Sequence, residues 1–177
     1  KALEAFEKNG DSRGAAFTLK SLGFTYESLG DYPQALSCYK RSLKIREEIG
    51  YTFYNADLLM NIGWVYFMQN NFQQALEFYD KSLALAEETG DSHRLSSTLS
   101  ATGMIHENRG DYRKALEYFG KSLSIEEENE DKTGIVQSLY YLGQIYDFLG
   151  DTDRFMELSE RSLEISREIG HRQGIAY

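Results

Sequence analysis

One cysteine and one proline are all that this chain of 177 residues holds of either type. Cys38 alone cannot build a disulfide framework or a cysteine-based metal site within the chain, which points to a cytosolic home, with a periplasmic one as the alternative. Pro33 alone leaves long helices uninterrupted. No apolar run approaches the roughly 18 residues needed to span a bilayer, and no secretory signal opens the sequence. Metal-ligand spacings such as His-x-x-x-His are missing, and the glycines are not clustered as a phosphate-cradling loop requires. Positive charge is also short, with 19 Lys and Arg against 28 Asp and Glu, a formal net charge of −9. That sign repels phosphate backbones and anionic lipid, so neither nucleic acid nor a membrane surface is an expected partner. No cofactor, metal or catalytic grouping is expected.

What is present is a period of forty residues. Gly23, Gly63, Gly103 and Gly143 recur at that spacing, as do Gly30-Asp31, Asn70-Asn71, Gly110-Asp111 and Gly150-Asp151. Ala35, Ala75 and Ala115 follow in register, then Tyr39, Tyr79 and Phe119, then Ser42, Ser82, Ser122 and Ser162. Repetition on this scale argues for a stacked, elongated array of supersecondary units. The divisions expected are the end of a preceding repeat at 1–10, repeats at 11–50, 51–90, 91–130 and 131–170, and the start of a further one at 171–177. The chain then reads as a segment of a longer array.

Within a unit the apolar spacing is helical. In the second, Leu58, Leu59, Ile62, Val65 and Tyr66 predict a helix from about Phe53 to Gln69, and Ala75, Leu76, Tyr79, Leu83 and Leu85 a second from about Phe72 to Glu88. Gly followed by Asp provides a left-handed helix end and then an N-cap, and Asp31 with Gln34, like Asn71 with Gln74, has capping-box spacing. Gly50, Gly90 and Gly170 are expected to end the second helices. A glycine inside a helix costs about 1 kcal/mol relative to alanine, so four in register imply a steric demand. The expected demand is close backbone contact, with Ala35, Ala75 and Ala115 as the facing small residues.

Leu22-Gly23, Tyr26, Gly30-Asp31-Tyr32, Ala35-Leu36, Tyr39 and Ser42-Leu43 together resemble the tetratricopeptide repeat, in its long forty-residue form. The second unit matches through Ile62-Gly63, Tyr66, Phe72, Ala75-Leu76 and Tyr79; the third through Gly103, Tyr112, Ala115-Leu116 and Phe119, with His106 in an aromatic slot. The fourth departs, carrying Thr152, Phe155 and Ser159 where Tyr, Ala and Tyr stood. The resemblance implies an all-α solenoid, a right-handed superhelix of antiparallel helix pairs, whose concave groove grips a peptide or helix without catalysis. A sensory segment of a larger signalling protein and a self-association module are the alternatives, and homo-oligomers are compatible with both.

By that analogy the groove-facing stripe of the leading helices comprises Phe17, Lys20, Phe24 and Glu27; Asp57, Asn61, Trp64 and Phe67; Ser97, Ser100, Met104 and Glu107; and Gln137, Tyr140, Tyr141 and Gln144. Short side chains at Ser97, Ser100 and Ala101 predict a recess with a polar floor, walled by Trp64, Phe67, Tyr140 and Tyr141. Acidic groove residues favour a ligand with some Lys or Arg. A chaperone-type carboxylate clamp is incomplete, because Lys20 and Asn61 fit two of its slots while Phe24, Ser97 and Ala101 occupy the other three. The acidic run Glu126–Glu128 with Glu130-Asp131 reads as a solvated helix end first and as a docking patch for a basic partner second. His93 and His171 are expected near turns in solvent.

Overall fold

Hydrophobic periodicity and turn chemistry place nine helices among the described residues, with no strand. A computed structural model describes residues 2–174, and the side chains of 3–6 and 8–170. The helices are α1 (Ala2–Lys8), α2 (Ser12–Ser28), α3 (Tyr32–Glu48), α4 (Asn55–Met68), α5 (Phe72–Thr89), α6 (Ser92–Asn108), α7 (Tyr112–Glu128), α8 (Lys132–Phe148) and α9 (Thr152–Gly174). They group into two units, one ending at Gly90 and one beginning at Asp91. In the first unit each helix from α1 to α5 packs on the next in sequence, and in the second α6, α7, α8 and α9 do the same.

The turns follow from four orphan carbonyls at each helix end. Gly30 adopts φ +76°, its amide donates to Glu27 O, and the Asp31 amide reaches back to Tyr26 O at 2.8 Å. This is a Schellman closure, repeated at Asn70, Gly110, Glu130 and Gly150, where Asn70 and Glu130 take positive φ without being glycine. Asp31 Oδ1 then accepts from the Gln34 amide at 3.2 Å, and Asn71, Asp111 and Asp131 cap their helices likewise. The capping boxes expected at Asp31 and Asn71 are therefore half made. The N-cap amide that Gln34 or Gln74 would satisfy is already taken by the Tyr26 or Tyr66 carbonyl.

Two helix ends differ from expectation. α4 begins at Asn55, not Phe53, because Tyr54 stands at the N-cap and makes no side-chain cap. α9 runs through Gly170 to Gly174. Gly90 is followed by the capping Asp91, whereas Gly170 precedes His171, which cannot close a helix start as Asp91 does. Side chains from His171 onward lie outside the described residues, and so does the solvent position expected for His171.

The glycine column has a different cause from the expected Ala contact. A Cβ on Gly23, Gly63 or Gly103 would sit 2.6, 2.5 or 2.8 Å from the ring of Tyr39, Tyr79 or Phe119. Those rings are fully buried and occupy the place where a side chain would stand. Ala75 enters only through its carbonyl oxygen, 3.2 Å from the same point on Gly63. In the fourth hairpin the large and small residues exchange places. Phe155 occupies the alanine register, Ser159 the tyrosine register, and the Phe155 ring stands 3.6 Å from a Cβ on Gly143, an ordinary contact. The departure in sequence is a local repacking.

The serine column crosses each hairpin. Ser42, Ser82 and Ser122 are fully buried, and their hydroxyls donate to Ala16 O, Ala56 O and Ser96 O at 2.7, 2.8 and 2.8 Å. Such bonds satisfy a buried hydroxyl that would otherwise cost on the order of 1–3 kcal/mol.

Candidate functional site

In the first unit the leading helices are α2 and α4. Phe17 and Phe24 are 69% and 63% exposed on α2, large rings standing in solvent. With Lys20, Ser21, Thr25 and Asn61 they line an open cleft of about 420 Å³. Beside it, Arg13, Phe17, Arg46, Tyr51, Tyr54 and Asp57 are among the residues around a second cleft of about 380 Å³. Three cations and one carboxylate meet here, in a chain that is acidic overall. Asp57 pairs with Lys20 through one oxygen, and its other accepts from the Arg46 guanidinium at 3.2 Å. Arg46 is itself buried and donates to Tyr54 O at 2.8 Å. The two charges expected to greet a ligand, Lys20 and Asp57, are thus partnered with each other.

Trp64 and Phe67 stack at 5.3 Å, both half-buried. Glu27 accepts from the Tyr39 hydroxyl at 2.7 Å. Burial pushes its carboxyl above the usual range, and that hydrogen bond partly reverses the shift. Tyr79 repeats Tyr39, but Phe67 stands in the register of Glu27, so the buried Tyr79 hydroxyl has no hydrogen-bond partner among the described residues.

In the second unit the leading helices are α6 and α8. Ser97 and Ser100 are half-buried and their hydroxyls are engaged, with His93 O at 2.8 Å and Ser122 Oγ at 2.9 Å; Ala101 is buried. The polar floor expected there is tied into the scaffold. Met104 and Tyr141 pack against the core of Ala115, Phe119, Leu142 and Ile145. Tyr141 stacks on Phe119 at 4.8 Å, and Gln137 Nε2 donates to its hydroxyl at 3.3 Å. Tyr140 remains 58% exposed, edge-on to Tyr141 at 5.7 Å. Glu107, Asn108, Tyr112, Gln144 and Phe148 line an open crevice of about 360 Å³ together with Ile145. Burial alone raises the Glu107 carboxyl above its ordinary value.

His106 fills its aromatic slot as expected, stacked on Tyr118 at 5.3 Å and 7°, and His93 is exposed. Glu126 was expected in solvent but is buried. Its Oε2 accepts from the Ser138 hydroxyl at 2.6 Å, which ties α7 to α8, and its Oε1 stands 2.9 Å from Ser122 Oγ, whose proton goes to Ser96 O. The absence of a side chain at Gly134 makes room for it, since a Cβ there would meet the Glu126 stem at 2.8 Å. Arg46 and Glu126 share one register, with Ala86 between them in sequence. A column that alternates Arg, Ala and Glu among fixed neighbours is the signal that would have revealed both.

No helix among the described residues is long and apolar enough to cross a membrane. The tetratricopeptide repeat profile matches residues 1–48, 54–128 and 94–168. The chain belongs to the tetratricopeptide repeat family. Repeats of this family are protein-interaction scaffolds and are generally non-catalytic. No curated protein matches the sequence. Among solved structures, BtubC (BKLC) from P. vanneervenii is similar with a TM-score of 0.78 and 18% identity, over 95% of this chain and 78% of that one. Aspartyl phosphate phosphatase F from Bacillus subtilis gives a TM-score of 0.84 at 16% identity, over 96% of this chain and 42% of its own. A Rap protein complexed with competence and sporulation factor gives 0.77 at 18%, over 94% and 52%. The chain spans about half, or less, of the last two. At such identities the likeness is one of fold.

Proposed function

We propose that this chain binds a peptide or helix on the exposed faces of its leading helices and performs no chemistry on it. The observation that carries this reading is the exposure of large rings on those helices. Phe17, Phe24, Tyr140 and Phe148 are all more than half exposed, while the rings on the trailing helices at Tyr39, Tyr79 and Phe119 are fully buried. Rings left in solvent beside open clefts are what the buried centre of an interface is made from. The Rap protein of the same fold, captured with competence and sporulation factor, supports a peptide-sized ligand. Affinity comes from ring burial, and the polar groups Asn61, Glu107 and Gln144 orient the ligand.

The test is affinity capture with the wild-type chain beside Phe17→Ser/Phe24→Ser and Tyr140→Ser variants. These side chains are exposed, so the helical circular dichroism should be unchanged. A partner captured by wild type should be lost from at least one variant, each interface ring contributing about 2 kcal/mol or more. A partner retained equally by both variants refutes the reading.

A further inference from the structure

Glu27 and Glu107 stand in one register of the repeat, as do Tyr39 and Phe119. In the first hairpin Tyr39 Oη donates to Glu27 Oε2 at 2.7 Å, so that carboxylate is satisfied within its own hairpin. In the third, Phe119 supplies the same ring without the hydroxyl. The Glu107 carboxylate consequently has neither a hydrogen bond nor an ion pair among the described residues, and the residue is half-buried. Half-buried at the edge of an open crevice, that carboxylate is free to pair with a donor brought by a ligand.

Its surroundings are those of a cation site. Asn108 Nδ2 is held by Met104 O at 2.8 Å, which leaves the Asn108 carbonyl oxygen to accept. Gln144 adds a second amide to the crevice, and the Tyr112 and Phe148 rings meet there at 4.7 Å. Aromatic faces attract a cation, and Phe148 is 69% exposed, within reach of a ligand. A volume of about 360 Å³ admits a long side chain. An anionic group would be repelled by Glu107, and an apolar one would bury the carboxylate unpaired.

We infer that this crevice between α6 and α8 is a subsite for one cationic side chain of a bound peptide, a Lys ammonium or an Arg guanidinium. The assignment rests on the scaffold reading above and gives it a chemical preference. Glu107 supplies the charge, Asn108 and Gln144 accept the remaining donors, and Phe148 covers the stem.

The experiment titrates the whole isotope-labelled chain, by NMR, with N-acetyl-lysine methylamide, N-acetyl-arginine methylamide and the uncharged N-acetyl-norleucine methylamide. At least one cationic probe should shift the side-chain amides of Asn108 and Gln144 saturably, and norleucine should not. The tighter of the two cations identifies the preferred residue. Glu107→Gln should weaken binding by about 10-fold or more, and Phe148→Ala by a few fold. No saturable shift with either cation, equal binding of norleucine, or indifference to Glu107→Gln overturns the subsite. A protein partner that needs Phe17 and Phe24 yet binds Glu107→Gln like wild type would retain the scaffold reading and remove this one. Lysine-probe binding at Glu107, with no partner dependent on Phe17, Phe24 or Tyr140, would do the reverse.

Discussion

Gly63→Ala and Gly143→Ala are the same chemical change at the same register, and the hairpins around them predict opposite outcomes. Both replace a helical glycine, so both gain about 1 kcal/mol of helix propensity. At Gly143 the new methyl meets Phe155 at 3.6 Å, an ordinary contact, and the gain should survive. At Gly63 it falls 2.5 Å from two carbons of the Tyr79 ring and 3.2 Å from a backbone oxygen. Tyr79 is fully buried, so its ring can yield only by displacing α4 from α5. Overpacking of this kind costs about 1–3 kcal/mol. Comparing the two variants cancels the propensity term and isolates that cost. In thermal melts followed by circular dichroism, Gly143→Ala should melt above wild type and Gly63→Ala about 3–9 °C below Gly143→Ala. Repeat proteins can unfold in parts, so urea melts read by Trp64 fluorescence should place the loss in the first unit. Equal midpoints for the two variants would refute the ring as the cause of the glycine column.

Transplanting the fourth hairpin's exchange into the second should show coupling. Tyr79→Ser alone should cost about 3–5 kcal/mol and Ala75→Phe alone about 1–3, while the double variant should lose at least 1 kcal/mol less than their sum in a urea cycle. Glu126→Ala should destabilise the second unit by about 1–3 kcal/mol, because the buried Ser138 hydroxyl loses its acceptor; chemical denaturation checks it, and a neutral result denies the bracket between α7 and α8. Burial first, and Lys114 next, lower the His106 pKa from 6.5, against the pull of Asp111, with Arg109 and Glu117 also in range. The unfolded chain therefore binds a proton more readily than the folded one. Stability from this group is whole above pH 6.5 and falls as pH drops through that value, so His106→Phe should lose less melting temperature than wild type between pH 7.5 and 5.5.

Columns that stay fixed every forty residues report packing, and packing is what they made legible. The Gly30-Asp31 type of turn, the helix pairs and the buried Leu58, Ile62 and Val65 all follow from local rules that each unit obeys separately. Gly170 escaped because glycine permits a helix end without enforcing one; Gly90 stops α5 in company with the capping Asp91. The fixed columns also concealed a choice of partner that is made over eleven or twelve residues. Asp57 and Lys20 read as two ligand contacts, yet they pair with each other, and Arg46, eleven residues before Asp57, takes the second carboxylate oxygen. Glu126 read as one acid of an exposed run, yet Ser138, twelve residues on, closes over it. The same interval separates Glu27 from Tyr39 and Glu107 from Phe119. One phenolic oxygen therefore decides whether a carboxylate in this register is closed within its own hairpin: present at Tyr39 it holds Glu27, and missing at Phe119 it leaves the Glu107 carboxylate without a partner among the described residues.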